Sequence, residues 1–208
     1  MKRNNLFIFL AAMLLTLPVA LSAATMQQLT AKQVLDKCAK TITSADGVQA
    51  DFTMTSAQYA DVSGTISVKG KKFNASTEVA KMWFDGKTLW TYMTNNDEVN
   101  VSTPTDSQLQ TLNPYNFINL YRQGYAMTMS STAKAYTVHL TANDQRAKIR
   151  ELFVTVDNQT FAPKEVKMLQ GSKWTTFAVS NVRQVKLNDA LFRFNASEYP
   201  DAEVIDLR

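Results

Sequence analysis

Three small groupings of side chains have the types and spacing to do chemistry. Ser131-Thr132-Ala133-Lys134 carries the S-x-x-K spacing of a serine nucleophile with a lysine base. It falls in a polar stretch between two alternating segments, where a solvated turn explains it equally well. Asp85 with Asp97 or Glu98 would be a carboxylate pair for general acid–base work. Asp85 is already accounted for by the Asp85-Gly86 turn signal. Cys38 and His139, each the only residue of its kind, would have to meet to form a thiolate–imidazole pair. Cys38 stands on the apolar stripe of a helix, which argues against it. One cysteine and one histidine are also too few for a Cys/His zinc site. There is no G-x-S-x-G, and six glycines leave little material for a phosphate-binding loop. The side chains thus point away from catalysis, metals and cofactors, with a secreted Ser/Lys hydrolase as the remaining enzymatic alternative.

The elements that must position these residues begin at the N-terminus. Lys2 and Arg3 precede an apolar run from Leu6 to Leu21, and Ser22-Ala23-Ala24 follows. This is the three-part pattern of a secretory signal peptide, and the run is short of the roughly 20 residues of a membrane span. Residues 1–24 are expected to be removed, leaving one domain over 25–208. No cysteine stands at the cleavage point, so no acyl anchor is expected, and the mature chain should be soluble and monomeric. The net charge of +4 falls to +2 without Lys2 and Arg3, and the charges are scattered. No basic stripe of the kind that binds nucleic acid is present. With no second cysteine, an exported chain of this kind must be held by its core.

Thr30 and Gln33 have the spacing of a capping box, and Val34, Leu35, Cys38 and Ile42 then make one helical stripe. From Val48 the period changes to two: Val48, Ala50, Phe52 and Met54 share one face of a strand. Further alternating segments follow through 64–69, 73 onward, 81–93, 98–102 and from Tyr125 to the end, with Phe192 and Phe194 in a last short piece. Asp85-Gly86 predicts a type I′ hairpin. About ten strands joined by short turns predict an antiparallel all-β sandwich or barrel. Pro104 to Leu112 has weak helical character, and Asn113-Pro114 opens a second short helix with the stripe Phe117, Ile118, Leu120 and Tyr121. After cleavage three Trp, seven Tyr, nine Phe and seven Met remain. A curved sheet rich in adaptable methionine suits an apolar ligand, or else a plain interaction domain.

Four motifs in order resemble the LolA family, the periplasmic carriers of outer-membrane lipoproteins. Gly47-Val-Gln-Ala-Asp-Phe-Thr53 resembles the family's opening A-x-F-T-Q strand. Asp85-Gly86-Lys87-Thr88-Leu89-Trp90-x-Tyr92 is similar to its D-G-K-x-L-W-x-Y hairpin. Asn113-Pro114-x-x-Phe117-x-x-Leu120 takes the place of its P-x-x-x-L helix, and Phe192-x-Phe194 with Pro200 and Val204 that of its closing motif. The similarity runs from about Val34 to Val204. Where the family has Lys-Arg-Pro before a phenylalanine, this chain has Lys69-Gly70-Lys71-Lys72-Phe73, so the lid-holding arginine is replaced.

The resemblance implies one strongly curved antiparallel sheet forming an unclosed β-barrel, with an N-terminal helix and short lid helices over its mouth. It implies a hydrophobic cavity, here assigned to Phe52, Met54, Phe73, Phe84, Trp90 and Tyr92. The lid would be Phe117, Ile118, Leu120 and Tyr121 within 104–123, with Lys71 as the candidate lid contact. The implied function is a soluble periplasmic carrier of acylated lipoproteins, loaded by an inner-membrane lipoprotein-releasing transporter and unloaded to an outer-membrane acceptor. The alternative within the fold is a non-carrier module that binds lipid or a partner. The resemblance implies no cofactor, no metal and no catalytic residue.

Overall fold

The computed structural model describes residues 28–58, 60–106, 108–109, 120–122 and 124–208. The expected signal peptide, and the lid residues Phe117 and Ile118, lie outside them. Helix α1 (Ala31–Ile42) starts where the capping box predicts. The Thr30 hydroxyl accepts from the Gln33 amide at 3.2 Å, and the Gln33 side chain accepts from the Thr30 amide at 2.9 Å. These two bonds satisfy donors that a helix start otherwise leaves open. The predicted stripe is the buried face: Val34, Leu35, Cys38 and Ile42, together with Ala39.

The strands are β1 (Val48–Ser56), β2 (Val62–Lys69), β3 (Lys72–Thr77), β4 (Ala80–Phe84), β5 (Leu89–Met93) and β6 (Glu98–Ser102), then β7 (Tyr125–Ser131), β8 (Ala135–Ala142), β9 (Ile149–Asp157), β10 (Pro163–Gln170), β11 (Lys173–Gln184) and β12 (Glu203–Asp206). All twelve belong to one sheet, in the order β12-β6-β5-β4-β3-β2-β1-β11-β10-β9-β8-β7. β1 to β6 form one antiparallel meander and β7 to β11 a second. They join where β1 pairs with β11. β7 and β12 are not paired with each other, so the barrel is unclosed. Side chains from α1, from β1 to β5 and from β7 to β11 nevertheless form one cluster. That is possible only if the sheet wraps around the helix.

Several expectations are corrected. The described residues form twelve strands rather than about ten. Phe192 is not in a strand but closes a 3-10 turn, Asp189–Phe192, whose Ala190 amide donates to the Asn188 side chain. The last strand, β12, lies parallel to β6, because it returns as a long C-terminal segment instead of a hairpin. The β4–β5 connection is not type I′, which needs two consecutive residues at positive φ. Only Gly86 has one, at 102°. The Asp85 carboxylate instead accepts from the amides of Lys87 and Thr88 at 3.0 and 2.9 Å, an Asx turn.

The sheet has two ends of unlike character. The base carries the α1–β1 link and the turns at 70–71, 85–88, 132–134 and 158–162. The rim carries those at 78–79, 94–97, 143–148 and 171–172. At the base, the Phe161 carbonyl accepts from the Thr41 hydroxyl at 2.9 Å, and Lys37 lies 4.5 Å from the Phe161 ring centre.

Candidate functional site

Alternation along β1 places Phe52 and Met54 on the inner, helix-covered face. Both are half-buried, and they lie toward the rim. Phe73 and Phe84 share that inner face but sit at the base, directly opposite one another across β3 and β4. Their rings are 5.4 Å apart, and only 1% and 4% of their surface is exposed. They are packed core. The structure therefore divides the four inner residues into a filled floor, Phe73 and Phe84, and an incompletely covered upper wall, Phe52 and Met54.

Trp90 and Tyr92 are on the other side of the sheet. Leu89 is buried against the inner core, and the period of two then turns Trp90 and Tyr92 outward. Trp90 pairs with Trp83 and Val101, and Tyr92 with Val99. The Tyr92 ring lies 4.8 Å from that of Tyr199, and Trp83 contacts Phe194 and Tyr199 at 5.5 and 5.6 Å. The expected cavity role of Trp90 and Tyr92 is thus corrected: both face outward, where Tyr92 joins the aromatic cluster under the C-terminal segment and Trp90 lies beside Trp83. The alternation of Leu89, Thr91 and Met93 against Trp90 and Tyr92 carried this signal.

Other residues take their place. Met82, Met127, Met129, Val179 and Leu29 are partly buried against the inner core. Met82 lies one step from the rim in β4, and Met127 near the rim end of β7. With Phe52 and Met54 they make a flexible, apolar inner wall. On β8 and β9, by contrast, Leu140, Ile149 and Leu152 are fully buried.

The described residues of the segment between β6 and β7 pack with the core. Thr105 caps a helical start: its hydroxyl accepts from the Gln108 amide at 3.3 Å, and its own amide donates to the Gln108 side chain at 2.8 Å. Leu109 packs partly against the core, while Leu120 and Tyr121 are buried in it. The Tyr121 hydroxyl donates to the Asp36 carboxylate of α1 at 2.7 Å. Hydrogen bonds from Lys32 and Tyr121 hold the Asp36 carboxyl below the usual carboxylate range. Burial, and then that same bond to a carboxylate, push the Tyr121 phenol up. The pair is therefore ionised Asp36 with a protonated Tyr121 donor.

Most of the lid that Lys71 is expected to contact, 110–119, lies outside the described residues. Lys71 lies exposed in the Gly70-Lys71 turn, without a hydrogen-bond or ion-pair partner among the described residues. Gly70, at φ 60°, makes this turn tight and directs the chain straight back into β3. Lys69 and Lys72, on either side, both reach Asp189 at 3.0 Å. The basic cluster thus holds the C-terminal segment.

The chemical groupings are not assembled. Cys38 is buried on the inner side, and burial pushes its thiol up to about 12. His139 is on the outer face, stacked on Phe153 at 4.0 Å and 3.0 Å from Glu151. The sheet separates the two. The turn after Ser131 is held by Thr132, whose hydroxyl accepts from the amides of Lys134 and Ala135. Asp85 and Asp97 sit at opposite ends of β5, one with Arg193 and the other accepting from the Tyr92 hydroxyl. No cluster of three or more metal-ligating side chains exists among the described residues. None of their helices is long and apolar enough to cross a membrane.

Among the described residues, an unclosed single-sheet barrel wrapped on α1, with Leu109, Leu120 and Tyr121 of the β6–β7 connection packed with its core, defines an open-barrel class of protein rather than a closed β-barrel. The model of one family, outer membrane lipoprotein carrier protein LolA, matches residues 21–172, and the chain belongs to that family. No curated protein matches it in sequence. Among solved structures, the chain is similar to an uncharacterized conserved protein from Thermus thermophilus. The TM-score is 0.58 at 12% identity, over 86% of this chain and 99% of that one. A LolA superfamily protein from Nitrosomonas europaea aligns with TM-score 0.44 at 14% identity, over 80% and 99%. A chain of the Pseudomonas aeruginosa MucA/MucB complex aligns with TM-score 0.42 at 12% identity, over 80% and 61%.

Proposed function

We propose that this protein is a non-enzymatic periplasmic carrier that shelters the acyl chains of lipoproteins between the inner wall of the sheet, α1 and the 104–123 segment. The observation that carries the reading is the uneven filling of the inner face. Phe73, Phe84 and Leu140 are sealed, whereas Phe52, Met54, Met82 and Met127 are only half-covered near the rim. Burying each CH₂ contributes about 0.8 kcal/mol, so two or three acyl chains supply a gross term of tens of kcal/mol without any covalent step. A wall of Met and Phe side chains adapts to chains that must later leave. The segment 104–123 acts as the lid. Leu120 and Tyr121 are part of the inner core and must shift when cargo enters, so loading and opening are linked equilibria. The tyrosine–aspartate bond to α1 takes over the latch that an arginine supplies in the family pattern. In this scheme cargo comes from an inner-membrane lipoprotein-releasing transporter and passes to an outer-membrane acceptor.

Displacement of an environment-sensitive apolar dye by a diacylated lipopeptide tests the reading. Saturable displacement is expected, weakened by Met54→Asp and unchanged by Tyr92→Leu on the outer face. Absence of displacement by any acylated peptide overturns it. Hydrogen exchange should show protection around Leu120 changing on loading; ligand-independent protection there would make the segment fixed core.

A further inference from the structure

The outer surface holds a feature that the carrier reading does not use. At the rim, the β8–β9 and β10–β11 turns enclose an open cleft of about 570 Å³ lined by Gln145, Lys148, Arg150, Gln170 and Ser172 among others. Arg150 donates to the Gly171 carbonyl, which ties one turn to the other and fixes its guanidinium across the cleft. Arg146 and Lys173 flank it. Over 143–150 and 170–173 the only acid is Asp144, already paired with Arg146 at 3.2 Å. The nearby Glu151 is paired with His139 at 3.0 Å. The opposite arc of the rim is acidic, with Glu78, Asp97, Glu98 and Glu203 at its turns and strand starts. The rim is therefore electrically polarised.

Next to the basic arc stands an aromatic strip on the outer face. Trp174, the second residue of β11, is half-buried and lies 5.9 Å from Phe153, with Lys167 at 4.8 Å from its ring centre. A partly accessible Trp near Lys148, Arg150, Lys167 and Lys173, none of which has an acidic partner among the described residues, is the combination that settles at a lipid headgroup layer. Cations there gain from anionic headgroups, and an indole suits the apolar–polar boundary.

We propose that this arc of the rim docks the protein transiently on a membrane surface through the phosphates of anionic phospholipids. Lys148, Arg150 and Lys173 meet phosphate, and Trp174 enters the headgroup layer. The acidic arc faces away, so the contact has one orientation. The site is independent of the inner wall, and either can fail without the other.

Co-sedimentation with vesicles tests the proposal. The full chain should bind vesicles containing phosphatidylglycerol, ignore pure phosphatidylcholine, and release with added salt. The double variant Lys148→Gln/Lys173→Gln removes two exposed cations while keeping the Arg150–Gly171 tie. It should weaken partitioning about thirtyfold, from about 1 kcal/mol per basic side chain, with an unchanged melting curve. Vesicles should shift tryptophan emission to the blue in the native chain but not in Trp174→Phe. Equal binding to both lipids, or undiminished binding by the double variant, overturns the proposal. So does saturation by soluble glycerol phosphate with no vesicle binding, which would make the cleft a small-anion site.

Discussion

β4 and β5 are apolar on both faces, yet the two faces serve opposite ends. Their inner side chains, Phe84 and Leu89, join α1 in a core of aliphatic and Phe side chains. Of their outer side chains, Trp83 meets Phe194 and Tyr199 and Tyr92 meets Tyr199, which clamps the C-terminal segment, while Trp90 pairs across the strands with Trp83. The D-G-K-x-L-W-x-Y motif therefore does not describe a ligand site. It describes a strand that builds on both surfaces at once, with its Leu inside and its Trp and Tyr outside. An aromatic run in a strand is evidence of two covered faces, not of one rich cavity.

The difference can be broken most strongly from the inside. Phe73→Ala empties the floor of the core and should cost about 3–5 kcal/mol, read as a lower midpoint in chemical denaturation. On the outside, Tyr199→Ala removes the ring shared by Trp83 and Tyr92. It should cost about 1–2 kcal/mol and raise hydrogen exchange in β12 while β8 to β10 stay protected. Equal global loss from both variants would mean that the faces form one cooperative unit. Tyr121→Phe keeps the inner packing and deletes only the bond to Asp36. It should cost about 0.5–1.5 kcal/mol and, in the carrier scheme, speed dye entry.

The smallest effect concerns pH on the outer face. Burial works to raise the Asp85 carboxyl, but the amides of Thr88 and Lys87 and the Arg193 guanidinium outweigh it and hold it below the usual range. A carboxylate lowered on folding contributes stability that is fully present above its unfolded value of about 3.9 and fades as pH falls through the lower folded value. Asp85→Asn should remove that component. The variant's melting temperature should then fall less steeply than the native one below about pH 4. Parallel curves would show that the Asp85–Arg193 pair contributes nothing measurable.

Local rules were enough to place α1, because Thr30, Gln33 and the Val34-to-Ile42 stripe act within a few residues of one another. They were also enough for the strand alternation and for the weak helical start near Pro104, which Thr105 caps. Single residues of each kind, Cys38 and His139, already argued against their pairing, and the sheet between them completes that argument. Tertiary structure alone decided what each strand face meets. Trp90 and Tyr92 read as cavity residues, but both face outward, and the returning Tyr199 covers Tyr92 there, a contact roughly a hundred residues away in sequence. It also decided that β12 lies parallel to β6, and that Lys69 and Lys72 hold Asp189 while Lys71 stays exposed in its turn. Periodicity determines which side chains share a face; only the path of the whole chain determines whether that face meets a helix, a terminus or solvent.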